Sequence, residues 1–117
     1  MNDSIALKKS MDFAVRIVNL YKYLCDEKRE FVLSKQLLRS GTSIGANLRE
    51  AKYGQSKNDF IAKVSIALKE TSEAEYWLEL LYKTNFLNEK QYNDINTDCS
   101  EIAKMLISTL KTSKNIC

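Results

Sequence analysis

The sequence predicts an all-α fold, an antiparallel up-down-up-down four-helix bundle, from three observations. First, the 117 residues include no proline and only three glycines, fewer turn residues than a β-rich chain needs. Second, no segment alternates apolar and polar residues as a half-buried strand does. Third, four segments repeat apolar residues at spacings of three and four, with short polar breaks between them. The length suits one hydrophobic core, so residues 1–117 are expected to form a single domain.

The first helix is expected from about residue 4 to about residue 26. Its core face consists of apolar residues spaced four, three and four positions apart, Phe13, Ile17, Leu20 and Leu24. The charged run 26–30 lacks apolar spacing and marks the loop that follows.

The second helix, from Ser34 to about Tyr53, has three faces, and Ser34 is a favourable N-cap. The apolar face consists of Leu37, Gly41, Ile44, Leu48 and Ala51. Beside it runs a stripe of small or polar residues, Ser40, Ser43, Asn47, Glu50 and Gly54. Because an interior glycine costs a helix about 1 kcal/mol, Gly41 on the apolar face predicts the close approach of another backbone. Gly45 lies off that face and has no such explanation, and Gly54 is expected to cap the helix.

The third helix is expected from Asn58 or Asp59 to about Thr84, and the fourth from about Glu89 to about Thr112. The third has the most regular core face, Phe60, Val64, Ala67, Thr71, Ala74, Leu78 and Leu81. The core face of the fourth helix consists of Tyr92, Ile95, Cys99, Ile102 and Leu106. Between these helices either Asn85 or Asn88 is able to cap, and residues 113–117 are expected to fray.

Charge is uneven along the chain. Residues 1–57 hold 11 Lys or Arg and 6 Asp or Glu, a net +5, whereas residues 58–117 hold 7 and 9, a net −2. Two explanations remain open: attraction between two helix pairs, or a basic surface that faces nucleic acid or an acidic protein. The candidate nucleic-acid-binding residues are Lys35, Arg39, Arg49, Lys52 and Lys57. The alternative is a solvated helix face with ordinary ion pairs.

The sequence offers little catalytic chemistry. It has no histidine, and Cys25, Cys99 and Cys117 are scattered, so neither a zinc site nor a cysteine nucleophile with a base is expected. Cys99 is expected to be a small core residue. Three carboxylates could line a bundle core as in di-iron proteins, Glu70, Glu73 and Glu101, but the histidines of such sites are missing. No metal, cofactor or enzymatic activity is therefore expected.

Other polar and aromatic residues have structural interpretations. Glu70 and Glu73 are expected to pair with Lys or Arg, or to bond Asn47 or the Ser40 and Ser43 hydroxyls, or to face solvent. Trp77 is expected at the edge of the core face, half-buried, against a neighbouring helix or in a subunit contact. No signal-peptide core or membrane span is evident, so a soluble cytoplasmic protein is expected.

Two motifs resemble a known family. Residues 36–51, QLLRSGTSIGANLREA, resemble the signature QLxRSxxSIxANxxEA of the bacterial four-helix-bundle proteins known as ribosomal-RNA intervening-sequence proteins. Residues 66–81, IALKETSEAEYWLELL, are similar to the third helix of that family. The family usually has isoleucine where this chain has Leu48.

The resemblance implies a four-helix bundle that assembles into a homopentameric ring. A related branch, the accessory variability protein of diversity-generating retroelements, binds nucleic acid and a reverse transcriptase, which implies RNA, DNA or such a protein as partners. That branch is more basic than this chain. The motif residues that carry over are expected in packing, buried-polar or assembly roles: Arg39, Ser43, Asn47, Glu50, Glu70, Glu73 and Trp77.

The function expected from these observations is a non-enzymatic oligomeric module that binds RNA or DNA through basic residues of helices 1 and 2. The alternative is a protein–protein adaptor or structural ring that does not bind nucleic acid. An enzyme is a third and weaker hypothesis.

Overall fold

Four α-helices account for most of the chain, as the sequence predicts. The computed structural model describes residues 3–115, with side chains described from residue 5 to residue 114. The helices are α1 (Asp3–Asp26), α2 (Leu33–Lys52), α3 (Lys57–Lys83) and α4 (Glu89–Asn115). Within residues 3–115 there is no strand. None of the described helices combines the length and apolarity that a membrane span requires.

Neighbouring helices run antiparallel, as the residue pairs across each seam show. Ile17 of α1 faces Gly41 of α2, and the earlier Ser10 faces the later Gly45. The ion pairs of two other seams follow the same rule: Arg39–Glu73 and Glu50–Lys63 between α2 and α3, and Arg16–Asp98 and Lys9–Glu101 between α1 and α4. The α2–α3 seam is the most extensive and the α1–α4 seam the least, and within residues 3–115 the diagonal helices share no seam. The up-down-up-down bundle predicted from the sequence is confirmed.

The core is a column of apolar side chains along the bundle axis. Its largest fully buried members are Phe13, Ile17, Leu24, Leu37, Ile44, Leu78, Leu81 and Leu106. Cys99 is also buried, as expected, and its thiol donates to the carbonyl of Thr71 at 3.6 Å. Among the predicted core positions, Leu20, Phe60 and Tyr92 are only half-buried. The apolar spacings therefore identify the core faces correctly, and these three residues lie at their margins.

The start of α2 differs from the sequence prediction. Ser34 is not the N-cap: α2 begins one residue earlier, at Leu33, and Ser34 is buried inside the first turn. The carboxylate of Glu30 instead accepts the backbone N–H groups of Val32, Leu33 and Ser34, at 3.1, 3.0 and 2.6 Å. The Ser34 hydroxyl donates back to the Glu30 carbonyl at 2.8 Å. A carboxylate with two acceptor oxygens satisfies more of the unpaired amides of a helix start than one hydroxyl does, and its charge also suits that end.

The remaining helix ends have local caps. Ser56 accepts the backbone N–H of Asp59, so α3 begins at Lys57, slightly earlier than predicted. Asn85 adopts a positive φ of 70° after α3, and the amide of Phe86 bonds the carbonyl of Leu81 behind it. Asn88 caps α4 by accepting the N–H of Gln91, whose side chain accepts the N–H of Asn88 in return. The sequence left open which of the two asparagines caps, and in the structure both do.

Two other predictions at helix ends need correction. Gly54 lies in the turn after α2, but its φ is not positive, so the helix does not end in a left-handed glycine. Helix α4 continues to Asn115, beyond the predicted end at Thr112, so residues 113–115 are helical rather than frayed. Residues 116 and 117, including Cys117, lie outside the described residues.

Both interior glycines of α2 face α1. A Cβ at Gly41 would lie 2.8 and 2.9 Å from the two γ-carbons of Ile17, closer than real carbons approach. At Gly45 the nearest atom would be the Ser10 hydroxyl oxygen, at 3.2 Å. The predicted role of Gly41 in close helix packing is confirmed, and Gly45 has a milder form of the same role.

Candidate nucleic-acid interface

The predicted basic residues of α2 all lie on the surface. Lys35, Arg39, Arg49 and Lys52 are exposed, and so is Lys57 in the first turn of α3. Lys35, Arg39 and Arg49 point away from the core, as the helical spacing predicts. They do not form one patch, however, because α2 separates Arg39 from Arg49 by about 15 Å along its axis.

Arg39 is engaged by the neighbouring helix. Its guanidinium pairs with Glu70 of α3, with Nη1 and Oε2 3.0 Å apart, and through Nη2 with Glu73. The Glu70 side chain is only 14% exposed, so it is held in the α2–α3 seam. Pairing with a cation is therefore the correct one of the alternatives considered for Glu70 and Glu73, and Arg39 is the least available of the predicted cations.

The small polar stripe of α2 bonds mainly to its own helix. The Asn47 amide donates to the carbonyl of Ser43 at 2.9 Å, and the Ser43 hydroxyl donates to the carbonyl of Arg39 at 2.6 Å. Glu50 is exposed and pairs with Lys63 of α3 at 2.7 Å. None of these three residues is fully buried. They lie at the margin of the α2–α3 seam.

Trp77 is half-buried against the core, as expected for the edge of the α3 core face. Tyr76 meets it edge to face, with ring centroids 5.0 Å apart. The indole nitrogen is buried and has no hydrogen-bond partner in the described part of the chain. The contact of the ring with the core is what fits the packing interpretation of Trp77.

Charge divides between the two ends of the bundle. The basic end is the half where α1 and α3 begin and α2 and α4 end, residues 3–14, 43–70 and 102–115. It holds ten Lys or Arg against five Asp or Glu, a net charge of +5. The other half, residues 15–42 and 71–101, holds eight against ten, a net charge of −2. The molecule therefore has an electrostatic polarity along its length.

Only part of the predicted set lies at the basic end. Arg49, Lys52 and Lys57 lie there, whereas Lys35 and Arg39 lie in the other half. The antiparallel return of α4 adds three exposed lysines to this end, Lys104, Lys111 and Lys114. Sequence reasoning missed these lysines because they lie about fifty residues further along the chain.

The cations of α1 are largely neutralised. Lys8 pairs with Asp12 at 3.0 Å. Lys9 pairs with Glu101 of α4 at 3.4 Å. Arg16 pairs with Asp98 and, at 2.7 Å, with Asp94. The pairs of Lys9 and Arg16 join α1 to α4, whereas Lys8–Asp12 lies within α1, so much of the α1 charge is used inside the protein rather than on an open surface.

An open cavity of about 600 Å³ lies where α2 turns into α3. Arg49, Tyr53, Gln55 and Asp59 are among the residues that line it. The Tyr53 side chain is 72% exposed, and the Lys52 ammonium lies 5.6 Å from its ring centroid. The sequence analysis did not single out Tyr53. The signal that could have found it is an aromatic residue beside a lysine at an outward position of α2.

A second groove of about 400 Å³ runs between α1 and α2. Small residues line it, among them Ala14, Gly45 and Ala46, together with Met11, and Arg49 and Glu50 are its charged members. Met11 is 49% exposed, and Val15 on the next turn of α1 is exposed as well. The groove therefore presents an apolar surface to the outside.

The described residues contain no group of His, Cys, Asp and Glu arranged to hold a metal ion. Burial raises the pKa of the Cys99 thiol to about 12, so this thiol stays protonated at neutral pH. Cys25 is half-buried, with its sulfur 4.0 Å from the Ser34 hydroxyl. Neither cysteine is paired with a base in the way a nucleophile requires.

Comparison with known proteins gives the family of this chain. A solved structure of a protein with unknown function from the S23 ribosomal protein family of Bacteroides thetaiotaomicron VPI-5482 is 60% identical. The alignment covers 95% of this chain and 99% of that one, with a TM-score of 0.93. No curated protein matches the chain. The family model described as 23S rRNA-intervening sequence protein matches residues 2–108, and the chain belongs to that family.

Proposed function

We propose that this protein is a non-enzymatic cytoplasmic module that assembles into a homopentameric ring and binds RNA or DNA. The contacts would come from basic residues of α1 and α2 and of the first turn of α3, and chiefly from Arg49, Lys52 and Lys57. The observation that carries the proposal is the concentration of cations at the basic end. Lys35 and Arg39, in the other half of the molecule, would contribute less.

Electrostatics supports this choice of surface. A nucleic acid is a dense line of negative charge, and cations that neutralise phosphates release its counterions. Arg49 has no ion pair among the described residues, and the Lys52 ammonium lies over the ring of Tyr53. Neither side chain has to give up an intramolecular carboxylate in order to reach a phosphate. Arg39, in contrast, would have to leave Glu70 and Glu73.

Assembly would strengthen a patch that is weak in one copy. A few phosphate contacts per chain bind weakly at physiological salt, but linked copies raise the affinity through effective concentration. The groove between α1 and α2 supports self-association, because apolar surface of this kind gains stability when a partner covers it. A ring would then present several basic ends to one polymer.

The test is a binding titration against RNA and DNA over a range of salt concentrations. The logarithm of the affinity should fall linearly with the logarithm of the salt concentration, by about 0.9 for each phosphate contact to duplex DNA. Arg49→Glu combined with Lys52→Glu should lower the affinity at least about tenfold and reduce that slope. The matched control is Lys28→Glu combined with Lys90→Glu, the same change in net charge at exposed lysines of the other half.

The control pair should bind within about twofold of the wild type, since its lysines lie away from the basic end. An affinity that does not respond to salt would contradict the phosphate-contact mechanism. Equal losses in both double variants would show that total charge matters and that the basic end does not.

The α1–α2 groove also favours a second function, a protein–protein adaptor or structural ring without nucleic-acid binding. A partner such as a reverse transcriptase would then use the groove or the seam around Arg39. A protein that assembles in solution but binds neither RNA nor DNA at low salt would favour this alternative. So would charge reversal at Arg39, Arg49 and Lys52 that leaves both assembly and binding of the protein partner intact.

A further inference from the structure

Tyr53 is an aromatic side chain in an unusual position. It is the C-cap residue of α2, directly after Lys52, and its backbone N–H bonds the carbonyl of Glu50 at 3.2 Å. Tyr53 is nevertheless 72% exposed, the highest value among the exposed large apolar and aromatic residues of the described part of the chain. A rigid helix end thus holds an aromatic surface in water, where it contributes little to the stability of the fold.

The surroundings of Tyr53 are suited to a nucleotide. The adjoining cavity of about 600 Å³ is within the range of small-ligand sites. The Lys52 ammonium lies over one face of the ring, 5.6 Å from its centroid, which leaves the other face for a base. Arg49 lines the cavity, so both cations can approach the phosphates of a bound strand. Gln55, on the cavity wall, offers an amide donor and acceptor to the edge of a base.

Two carboxylates of the cavity affect the direction of approach. Glu50 is neutralised by Lys63 at 2.7 Å. Asp59 lies in the first turn of α3 and repels phosphate from that wall. The backbone of a bound strand is therefore expected to pass on the side of Arg49 and Lys52, with a base directed into the cavity.

We propose that Tyr53 is a stacking platform and that the polymer bound at the basic end is a single strand. The inference rests on the proposed function and gives it a substrate class. In a duplex the bases stack on each other, and an isolated ring at a helix end reaches only phosphates and sugars. In a single strand each base has an open face that can stack on an aromatic side chain, and this interaction tolerates any sequence.

The experiment measures fluorescence anisotropy with a labelled oligonucleotide of about 15 nucleotides, as a single strand and annealed to its complement, each as RNA and as DNA. The wild type should bind the single strand at least about fivefold more tightly than the duplex. Tyr53→Leu should weaken single-strand binding by about 5- to 100-fold and leave duplex binding within about twofold. The ratio between RNA and DNA then assigns the natural polymer.

Two control variants separate the ring from other effects. Tyr53→Phe keeps the ring and should bind as the wild type does. Tyr76→Leu removes another exposed tyrosine, 59% exposed and in the half away from the basic end, and should also leave binding unchanged. Circular dichroism should show native helix content in all three, because the altered side chains lie mainly in solvent.

The possible results separate this inference from the proposed function. Two results would overturn the stacking platform alone. One is salt-dependent binding with no preference for the single strand, and the other is a Tyr53→Leu variant that binds the single strand as tightly as the wild type does. The proposed function would then stand. If neither form bound with any dependence on salt, both proposals would fail.

Discussion

At the scale of the residue, the start of α2 depends on Glu30. Its side chain is only 9% exposed, and three backbone amides point at it. Burial by itself raises the pKa of a carboxyl group, but the hydrogen bonds from Leu33, Ser34 and Val32 outweigh it and hold the pKa of Glu30 below its ordinary value. The folded state therefore stabilises the ionised form.

Replacing Glu30 by glutamine should lower the free energy of unfolding at neutral pH by about 1–2 kcal/mol, because the amide lacks the charge and one acceptor oxygen. Since the folded pKa is depressed, this contribution is complete above the unfolded pKa of about 4.3 and is lost as the pH falls through the folded value. Urea denaturation of both proteins over that range measures it, and their stabilities should converge in acid.

Glu75→Gln is the matched control, and we expect it to change the free energy of unfolding in the opposite direction. Burial raises the pKa of Glu75, which lies near Tyr92 and Cys99 in the α3–α4 seam. Removing its charge should therefore stabilise the fold at neutral pH. The gain should decline as the pH falls below the raised folded pKa and vanish below the unfolded pKa of about 4.3. A Glu30→Gln protein as stable as the wild type at neutral pH would show that the amides find other partners.

At the scale of the element, α1 and α2 are held together by shape. The absence of a side chain at Gly41 lets the γ-carbons of Ile17 approach the α2 backbone. This approach compensates for the cost of glycine in a helix, because it buries Ile17 completely. The sequence indicated close packing at Gly41, but it did not identify α1 as the neighbour or explain Gly45.

Gly41→Ala should destabilise the protein, because overpacking against Ile17 costs about 1–3 kcal/mol and the gain in helix propensity offsets only about 1 kcal/mol. Gly45→Ala should be nearly neutral, since its nearest neighbour at 3.2 Å is a hydroxyl that can shift. Urea denaturation of both variants tests the difference. In an Ile17→Ala background, the Gly41→Ala change should lose its cost, and persistence of the full cost there would exclude the clash as its cause.

At the scale of the whole molecule, topology determines where the charges meet. Residues that are far apart in sequence, such as Lys52 and Lys111, share the basic end because α4 returns antiparallel to α1. The same topology places acidic residues of α4 against Arg16. Both explanations of the uneven charge thus describe part of the molecule: helix pairs attract each other across the α1–α4 seam, and a basic surface remains at one end.

Assembly also belongs to this scale. If the groove between α1 and α2 is the contact between copies, Ala46→Glu should dissociate the ring, because it would bury a charge in an apolar interface. Light scattering should give about five times the 13.5 kDa chain mass for the wild type and a single chain mass for the variant. Ser108→Glu, at an exposed site on α4, is the control and should keep the wild-type mass. An unchanged mass in Ala46→Glu would place the contact elsewhere.

The features that the sequence predicted are those that depend on neighbours within one helix. Spacings of three and four bring Leu37, Ile44 and Leu48 to one face whatever surrounds them, so the helices and their core faces follow from the chain alone. Caps at Asn85 and Asn88 act over a few residues, and most helix bounds were close to correct for that reason.

Two kinds of contact could be found only in the folded molecule. The first joins residues that are distant in sequence, and the second forms only when a loop adopts its folded conformation. Arg39 meets Glu70 and Glu73 only across the α2–α3 seam, which removes it from the open surface. Glu30 caps α2 only because the loop turns its carboxylate back onto the helix start. The basic end and the cavity beside Tyr53 arise when antiparallel helices bring their ends together, and a one-dimensional pattern does not encode that proximity.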